Sequence, residues 1–316
     1  MITDVPGIRV GHATDPIGLT GVTVVLCDRP ATGGVELRGS ANDVVGLDYL
    51  HPRHLVGTIN GIVLGGGSRF GGEAIWGVMR YLESRGIGFR AGPAVVPHVA
   101  GAFLFDLGLG GGRARPTREM GAEAASLASA GPVAEGNVGA GTGATVGKLF
   151  HLARAMRGGL GSASVRMGAV VVGALVAVNA VGDVRDPATG TLLAGTRDAP
   201  DGHNLIDSAA ALQSSASLGR FAGPGNTTIG VVATNARLDR PQARALASLA
   251  MLGFARALSP PHTAFDGDTL FAVSVGDADC DLTRAGLAGA DAVAQAIVRG
   301  VRAATSLPGL PAVRDL

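Results

Sequence analysis

A glycine-rich turn, Gly223-Pro-Gly225, runs into Asn226-Thr227 and then at once into the apolar, β-branched stretch Thr228-Ile-Gly-Val-Val-Ala233. Such a stretch forms a buried strand, which puts the Thr227 hydroxyl at the strand's first residue, behind an asparagine on a turn. That arrangement suits a chain that cuts itself between Asn226 and Thr227 and then uses Thr227 as an N-terminal nucleophile. The freed α-amine would act as general base for the hydroxyl, because an α-amino group ionises at about pH 7.7–8.0. Threonine, stiff at χ1, holds its hydroxyl in fewer rotamers than serine. The same local signature also fits an ordinary loop-to-strand junction, so other residues have to decide.

Asp266-Gly267-Asp268 lies on a short loop that enters a second apolar strand, 269–275. Two carboxylates so close repel unless one is protonated or both meet donors. Asn179 closes the long apolar run 169–179, either as a strand terminator or as an amide donor aimed into a site. Lys148 follows the glycine-rich residues 137–147 and is open to the same two readings. The surrounding Thr142-Gly-Ala-Thr-Val-Gly-Lys148-Leu149 nearly spells a phosphate loop, but Thr142 replaces its first glycine and Leu149 its magnesium-binding hydroxyl. Gly139-Ala-Gly-Thr-Gly lacks the leading strand and acidic partner of a dinucleotide fingerprint. Asp48, His51 and His54 flank Pro52 and read as a surface loop, so no metal is expected there. Asp277-Ala-Asp-Cys-Asp281 has Leu282 and Ala288 where a calcium loop needs glycine and glutamate. No Gly-x-Ser-x-Gly elbow is present.

The elements around these residues alternate between apolar runs and amphipathic or alanine-rich blocks. Strands are expected in 5–12, 21–27, 58–64, 94–96, 102–105, 169–179, 227–233 and 269–275. A helix carrying Ala74, Val78, Met79 and Leu82 follows the third; further helices are expected over 117–130, 148–156, 205–218, from Asp239-Arg-Pro241 onward, and over 291–304. Residues 183–204 are turn-rich and read as an exposed connection. Fully apolar strands among helices imply sheets covered by helices, in one domain spanning 1–316 with no separating linker.

Composition narrows the partners. The chain has 316 residues, a net charge of +1 and no basic block, which gives no footing for nucleic acid. Apolar residues make up 47% and charged residues 16%, compatible with large subunit interfaces. No apolar run is long enough for a membrane span. Met1-Ile-Thr-Asp-Val-Pro lacks a basic start and an apolar core, and Cys27 and Cys280 lie far apart, so a reducing cytoplasm is the expected home.

Taken together the motifs resemble the self-cleaving aminopeptidases, which include the DmpA-type D-stereospecific and β-peptidyl enzymes, nylon-oligomer endohydrolases and a pantetheine hydrolase. The resemblance runs from Val5-Pro-Gly-Ile-Arg-Val-Gly-His12 through Leu64-Gly-Gly-Gly-Ser68, Ala140–Lys148, Val178-Asn179 and Gly225-Asn-Thr-Thr228 to the block His262-Thr-Ala-Phe-Asp-Gly-Asp-Thr-Leu-Phe271. It implies a four-layer αββα sandwich of the N-terminal-nucleophile type, shared with ornithine acetyltransferase. It also implies cleavage into chains 1–226 and 227–316, assembled as homotetramers of cleaved units, with no metal or organic cofactor. By the resemblance Thr227 is the nucleophile, Asn179 an oxyanion donor, Asp266 and Asp268 the pair that orients the nucleophile and its amine or the substrate's amino group, and Lys148 a supporting basic residue. The substrate implied is a small amide or peptide. Some members carry a tyrosine where Phe105 stands, so Phe105 marks the pocket as a place where donors or substrate choice differ. Acyl transfer to an amine, and an uncleaved binding protein of the same fold, remain alternatives.

Overall fold

The computed structural model describes residues 1–214 and 225–316. Its longer strands are β1 (Ile8–Asp15), β2 (Thr20–Leu37), β3 (Ile59–Gly65), β4 (Val99–Phe103), β5 (Gly159–Met167), β6 (Val170–Val178), β7 (Ile229–Ala236) and β8 (Thr269–Ala278). Its helices are α1 (Glu73–Ser84), α2 (Arg118–Ser126), α3 (Ser208–Ser214), α4 (Arg240–Ala250), α5 (Leu252–Ala257) and α6 (Leu282–Arg302).

Successive strand residues serve different cores because side chains alternate across a sheet. On β2, Val22, Val24 and Leu26 face α1 and α2 with Val63, Phe103, Ile75, Val78 and Leu82. Val25 turns the other way and meets Ile62, Leu175, Val231 and Phe271. On β7 and β8, Val232, Leu270 and Ala272 pack under Leu246, Phe254, Val293 and Ile297 of the second helix layer. Three apolar layers between four layers of elements give α1/α2, a sheet of β1–β4, a sheet of β5–β8, then α4–α6: the αββα sandwich.

The sheets share one strand. β2 pairs with β3 through Val22–Leu26 and with β8 through Thr32–Leu37. Between them Asp28, Arg29 and Pro30 are exposed and the register shifts; proline has no N–H for a ladder, so the bend falls there. The order runs β5-β6-β7-β8-β2-β3-β4, with β1 on β2. β7 and β8 are parallel while β6 is antiparallel to β7. The end of β6 and the starts of β7 and β8 therefore meet at one edge, which gathers Asn179, Thr227 and Asp268.

Four expectations differ from the structure. Residues 148–156 form a loop with one short 3-10 turn, Leu152–Arg154, because Thr145–Val146 pairs antiparallel with Met156–Arg157 and turns the chain back. Residues 183–204 are not an exposed connection: Asp183–Arg185 and Leu192–Ala194 pair in a small sheet with Leu258–Ser259, and Asp183, Thr196 and Arg197 are buried. The last helix starts nine residues before the expected 291, at Leu282, where the Asp281 side chain accepts the Arg284 N–H. Helix α2 stops at Ser126 rather than 130, though Thr117 caps it. Of the expected helix 205–218, residues 215–218 lie outside the described residues, as do Gly223 and Pro224 of the turn before Asn226. No helix among the described residues is long and apolar enough to cross a membrane.

Candidate active site

The register that pairs Ala177 with Ile229 continues beyond the strands to set Asn179 opposite Thr227, whose N–H donates to the Asn179 carbonyl at 2.9 Å. Thr227 is buried, and its hydroxyl lies 2.5 Å from the carbonyl oxygen of Asn226. The same oxygen accepts the Gly267 N–H at 2.9 Å. A hydroxyl thus sits against the carbonyl of the preceding peptide, and a backbone donor polarises that carbonyl.

Asn179 is fully buried and its amide is fixed from both ends. Its Oδ1 accepts from the Thr145 N–H at 3.0 Å and the Lys148 Nζ at 2.8 Å, and its Nδ2 donates to the carbonyls of Phe105 and Gly225. The loop carrying Lys148 is laid alongside by Gly147 and Lys148 N–H groups donating to the carbonyls of Gly182 and Val181. Lys148 Nζ donates to Asn179 O at 2.9 Å, Asn179 Oδ1 and Gly225 O at 3.3 Å, so all three ammonium protons find acceptors. Burial brings its pKa down to about 7, against the opposing charges of Asp266, Asp106 and Asp268. The loop that nearly spelled a phosphate site therefore delivers its lysine to a peptide carbonyl.

Asp266 and Asp268 are both 1% exposed and both meet donors. Asp266 accepts from Val181 N–H at 3.2 Å, Thr263 N–H at 3.0 Å and the Thr263 hydroxyl at 2.5 Å. Burial, then the negative charge of Asp268, pushes its pKa up to about 6. Asp268 accepts from the Thr228 N–H at 2.8 Å and from His262 Nδ1 at 2.8 Å. Phe105 is partly exposed and its ring lies on Gly225, where a Cβ would stand 2.7 Å from it. A cleft of about 250 Å³ opens beside Gly225 and Asn226, lined also by Phe105, Asp106, Leu109, Gly143, Thr145, Lys148, His151 and Leu152.

The structure thus brings Lys148, Asn179, Asn226, Thr227, Asp266, Asp268 and Phe105 into one neighbourhood. Sequence reasoning did not single out His262, Thr263, Asp106 or the Gly267 N–H. The first two and Gly267 fall inside the same block as the two aspartates, and Asp106 follows Phe105 directly, so proximity in sequence was the available signal. Asp48, His51 and His54 stay apart from this site; His54 packs edge-on against Tyr49 and His98. Among the described residues no group of three or more His, Cys, Asp or Glu is placed to hold a metal ion.

The chain is similar to known proteins over nearly its whole length. The family described as Peptidase family S58 matches residues 1–313. An uncharacterized aminopeptidase of Mycobacterium bovis is 40% identical, covering 100% of this chain and 97% of its own length. A 6-aminohexanoate-oligomer endohydrolase of an Agromyces species is 33% identical over 89% of this chain and 76% of its own. The solved L-aminopeptidase D-Ala-esterase/amidase of Ochrobactrum anthropi, described as a new variant among the Ntn hydrolase fold, superposes with a TM-score of 0.70 at 21% identity, covering 98% of this chain and 88% of that one.

Proposed function

From the chain's membership of peptidase family S58, we propose that this hydrolase of amide or peptide bonds cuts itself before Thr227 and then works through that threonine. The observation that carries the reading is the Thr227 hydroxyl 2.5 Å from the Asn226 carbonyl oxygen, with the Gly267 N–H on that same oxygen. In maturation Thr227 Oγ attacks the Asn226 carbonyl carbon, and the Gly267 N–H supports the developing oxyanion. Collapse breaks the C–N bond and leaves an ester on Oγ; water then releases the Asn226 carboxylate and restores the hydroxyl.

In turnover the freed Thr227 amine accepts the hydroxyl proton as Oγ attacks a substrate amide, then returns it to the leaving amine; water then cleaves the acyl ester left on Oγ, releasing the acid and restoring the hydroxyl. The Asn179 Nδ2, held by the Thr145 and Lys148 bonds to its oxygen, turns from Gly225 O towards the tetrahedral oxyanion. Asp268 fixes the strand start through the Thr228 N–H, and Asp266 stands beside it to orient the amine. Lys148 supports the site through Asn179 and Gly225. Phe105 brings no hydroxyl, so oxyanion support falls to Asn179 and backbone N–H groups.

The same reading treats 1–226 and 227–316 as two chains of one domain. Exposed apolar side chains on both outer helix layers, Trp76 on one and Leu252 and Leu287 on the other, support assembly of cleaved units into a tetramer. A reducing compartment suits the unpaired Cys27, whose thiol burial pushes up to about 12.

The test is the denatured intact mass of the purified protein beside Thr227→Ala. The parent should give fragments 1–226 and 227–316, and the variant one chain with activity down by at least about a thousandfold. An uncut parent, or a variant that is still cut, would overturn the reading.

A further inference from the structure

His262 and Thr263 are neighbours in the chain, and each holds one of the buried carboxylates of the site. Thr263 holds Asp266 through its N–H and its hydroxyl. Asp268 is held by His262, which takes no direct part in the proposed reaction. His262 Nδ1 lies 2.8 Å from Asp268 Oδ2, and the His262 backbone N–H reaches the same oxygen at 3.3 Å. An ionised carboxylate only accepts, so Nδ1 carries the proton in that bond.

Two further features show that the contact is built rather than incidental. The His262 backbone has a φ of +53°, in the left-handed region that L-residues seldom adopt. In that conformation its N–H and its ring converge on one oxygen. The ring also lies against Phe254 of α5, with centroids 5.7 Å apart and planes 23° from parallel, and Phe254 is fully buried. A core residue thus aims the imidazole from one side, while 21% of the side chain stays exposed on the other.

Asp268 passes the placement on. Its Oδ1 accepts the Thr228 N–H at 2.8 Å, one residue after the proposed nucleophile. The peptide plane that carries that N–H also carries the Thr227 Cα. A carboxylate fixed at both oxygens therefore fixes the atom from which the hydroxyl-bearing side chain projects.

We infer that His262 is a positioning residue of the active site: through Asp268 and the Thr228 N–H it sets the Thr227 hydroxyl against the carbonyl it attacks. This rests on Thr227 being the nucleophile. Without the imidazole, Oδ2 keeps one long backbone bond, and the neighbouring Asp266 carboxylate repels it. The group then swings away from the Thr228 N–H, and the attack geometry loosens.

Self-cutting tests this without a substrate. The full chain is made by cell-free synthesis, and its cutting rate is read from denaturing gels beside those of His262→Gly and His262→Asn. Both replacements accept a positive φ and both lose the ring over Phe254. Only asparagine keeps an N–H near the place of Nδ1. His262→Gly should cut at least about tenfold more slowly than the parent, and His262→Asn should stay within about threefold of it. Free imidazole should raise the rate of His262→Gly by at least about threefold. A role in packing alone predicts equal loss in both variants and no rescue. That result overturns the inference, and so do two variants that both cut at the parent's rate. If the melt of His262→Gly shows no folded protein, His262→Leu, which also lacks the N–H, takes its place and should cut as slowly. A parent that stays uncut overturns the nucleophile reading and takes this inference with it.

Discussion

Asp183 and Asp266 are near twins in their surroundings and differ in what stands beyond their donors. Both are buried, and burial pushes both up to about 6. Each takes backbone N–H groups and one hydroxyl: Asp183 from Thr196, Ser208 and the Ser208 hydroxyl, Asp266 from Val181, Thr263 and the Thr263 hydroxyl. Past its donors, Asp183 ties a small sheet to the start of α3. Each also feels a second carboxylate, Asp207 or Asp268, but only Asp266 of the two stands by a buried lysine and the bridge to Asn226. A raised pKa in a buried carboxylate therefore does not locate chemistry; the adjacent cation and polarised peptide do.

The contrast breaks most sharply under isosteric substitution. Asp266→Asn should slow self-cutting and amide hydrolysis by about a hundredfold or more, beyond a stability cost of about 1–3 kcal/mol from donors left facing an amide. Asp183→Asn should carry the stability cost alone. It leaves Ser208 and Thr196 donors facing an amide, costs about 1–3 kcal/mol, and leaves the cutting rate of folded protein within about threefold. Rates from denaturing gels beside calorimetric melts decide it, and an exchange of the two phenotypes would end the comparison.

A smaller effect sharpens it. An acid whose folded pKa is raised binds its proton more tightly in the native state, so the stability it contributes is present below about pH 3.8 and is lost as pH rises to about 6. Asp183→Asn removes that loss, so the parent's stability relative to the variant should fall across that window by about 1.4 kcal/mol per pH unit. Denaturant melts from about pH 4 to pH 7 measure it; a flat difference would mean that Asp183 titrates normally. Lys148, lowered to about 7, works in the opposite sense: its contribution grows as pH rises from about 7 towards 10.5.

The smallest effect concerns Thr228, next to the proposed nucleophile. Its hydroxyl is buried and has no hydrogen-bond partner among the described residues. Thr228→Val removes an unsatisfied polar group at constant shape, so the melting temperature should hold or rise by the equivalent of about 1 kcal/mol. A clear drop would show that the hydroxyl has a partner in the folded protein.

The sequence made legible those features that rest on local pattern. Apolar runs marked β6, β7 and β8, and polar residues at their ends marked Asn179, Thr227 and Asp268, because a buried strand must change character where it leaves the core. Asp239 and Pro241 announced α4, where the capping box with Gln242 forms. Long-range satisfaction was not legible. Residues 148–156 carry Leu149, Leu152 and Met156 at helical spacing, yet the ladder to Thr145–Val146 overrides it. The polar stretch from Asp183 reads as solvent-facing because its partners, Thr196 and Ser208, are distant in sequence. The early turns of α6 hold Gly286 and Gly289, weak helix formers; in the fold Gly286 lets Leu249 approach to where a Cβ would stand 2.5 Å from its side chain.

The placement of β7 and β8 has a consequence for what the proposed cut would make of the protein. The two enter the sheet as an adjacent parallel pair with β6 on one flank and β2 on the other. The proposed cut at the Asn226–Thr227 bond would put the pair on one polypeptide and both flanks on the other. It would change the molecularity of unfolding: a unimolecular melt would become a dissociation, with a midpoint that climbs with protein concentration. The released 227–316 chain would carry two bare strand edges. Maturation would thus be easy to complete inside the folded precursor and hard to repeat from separated parts.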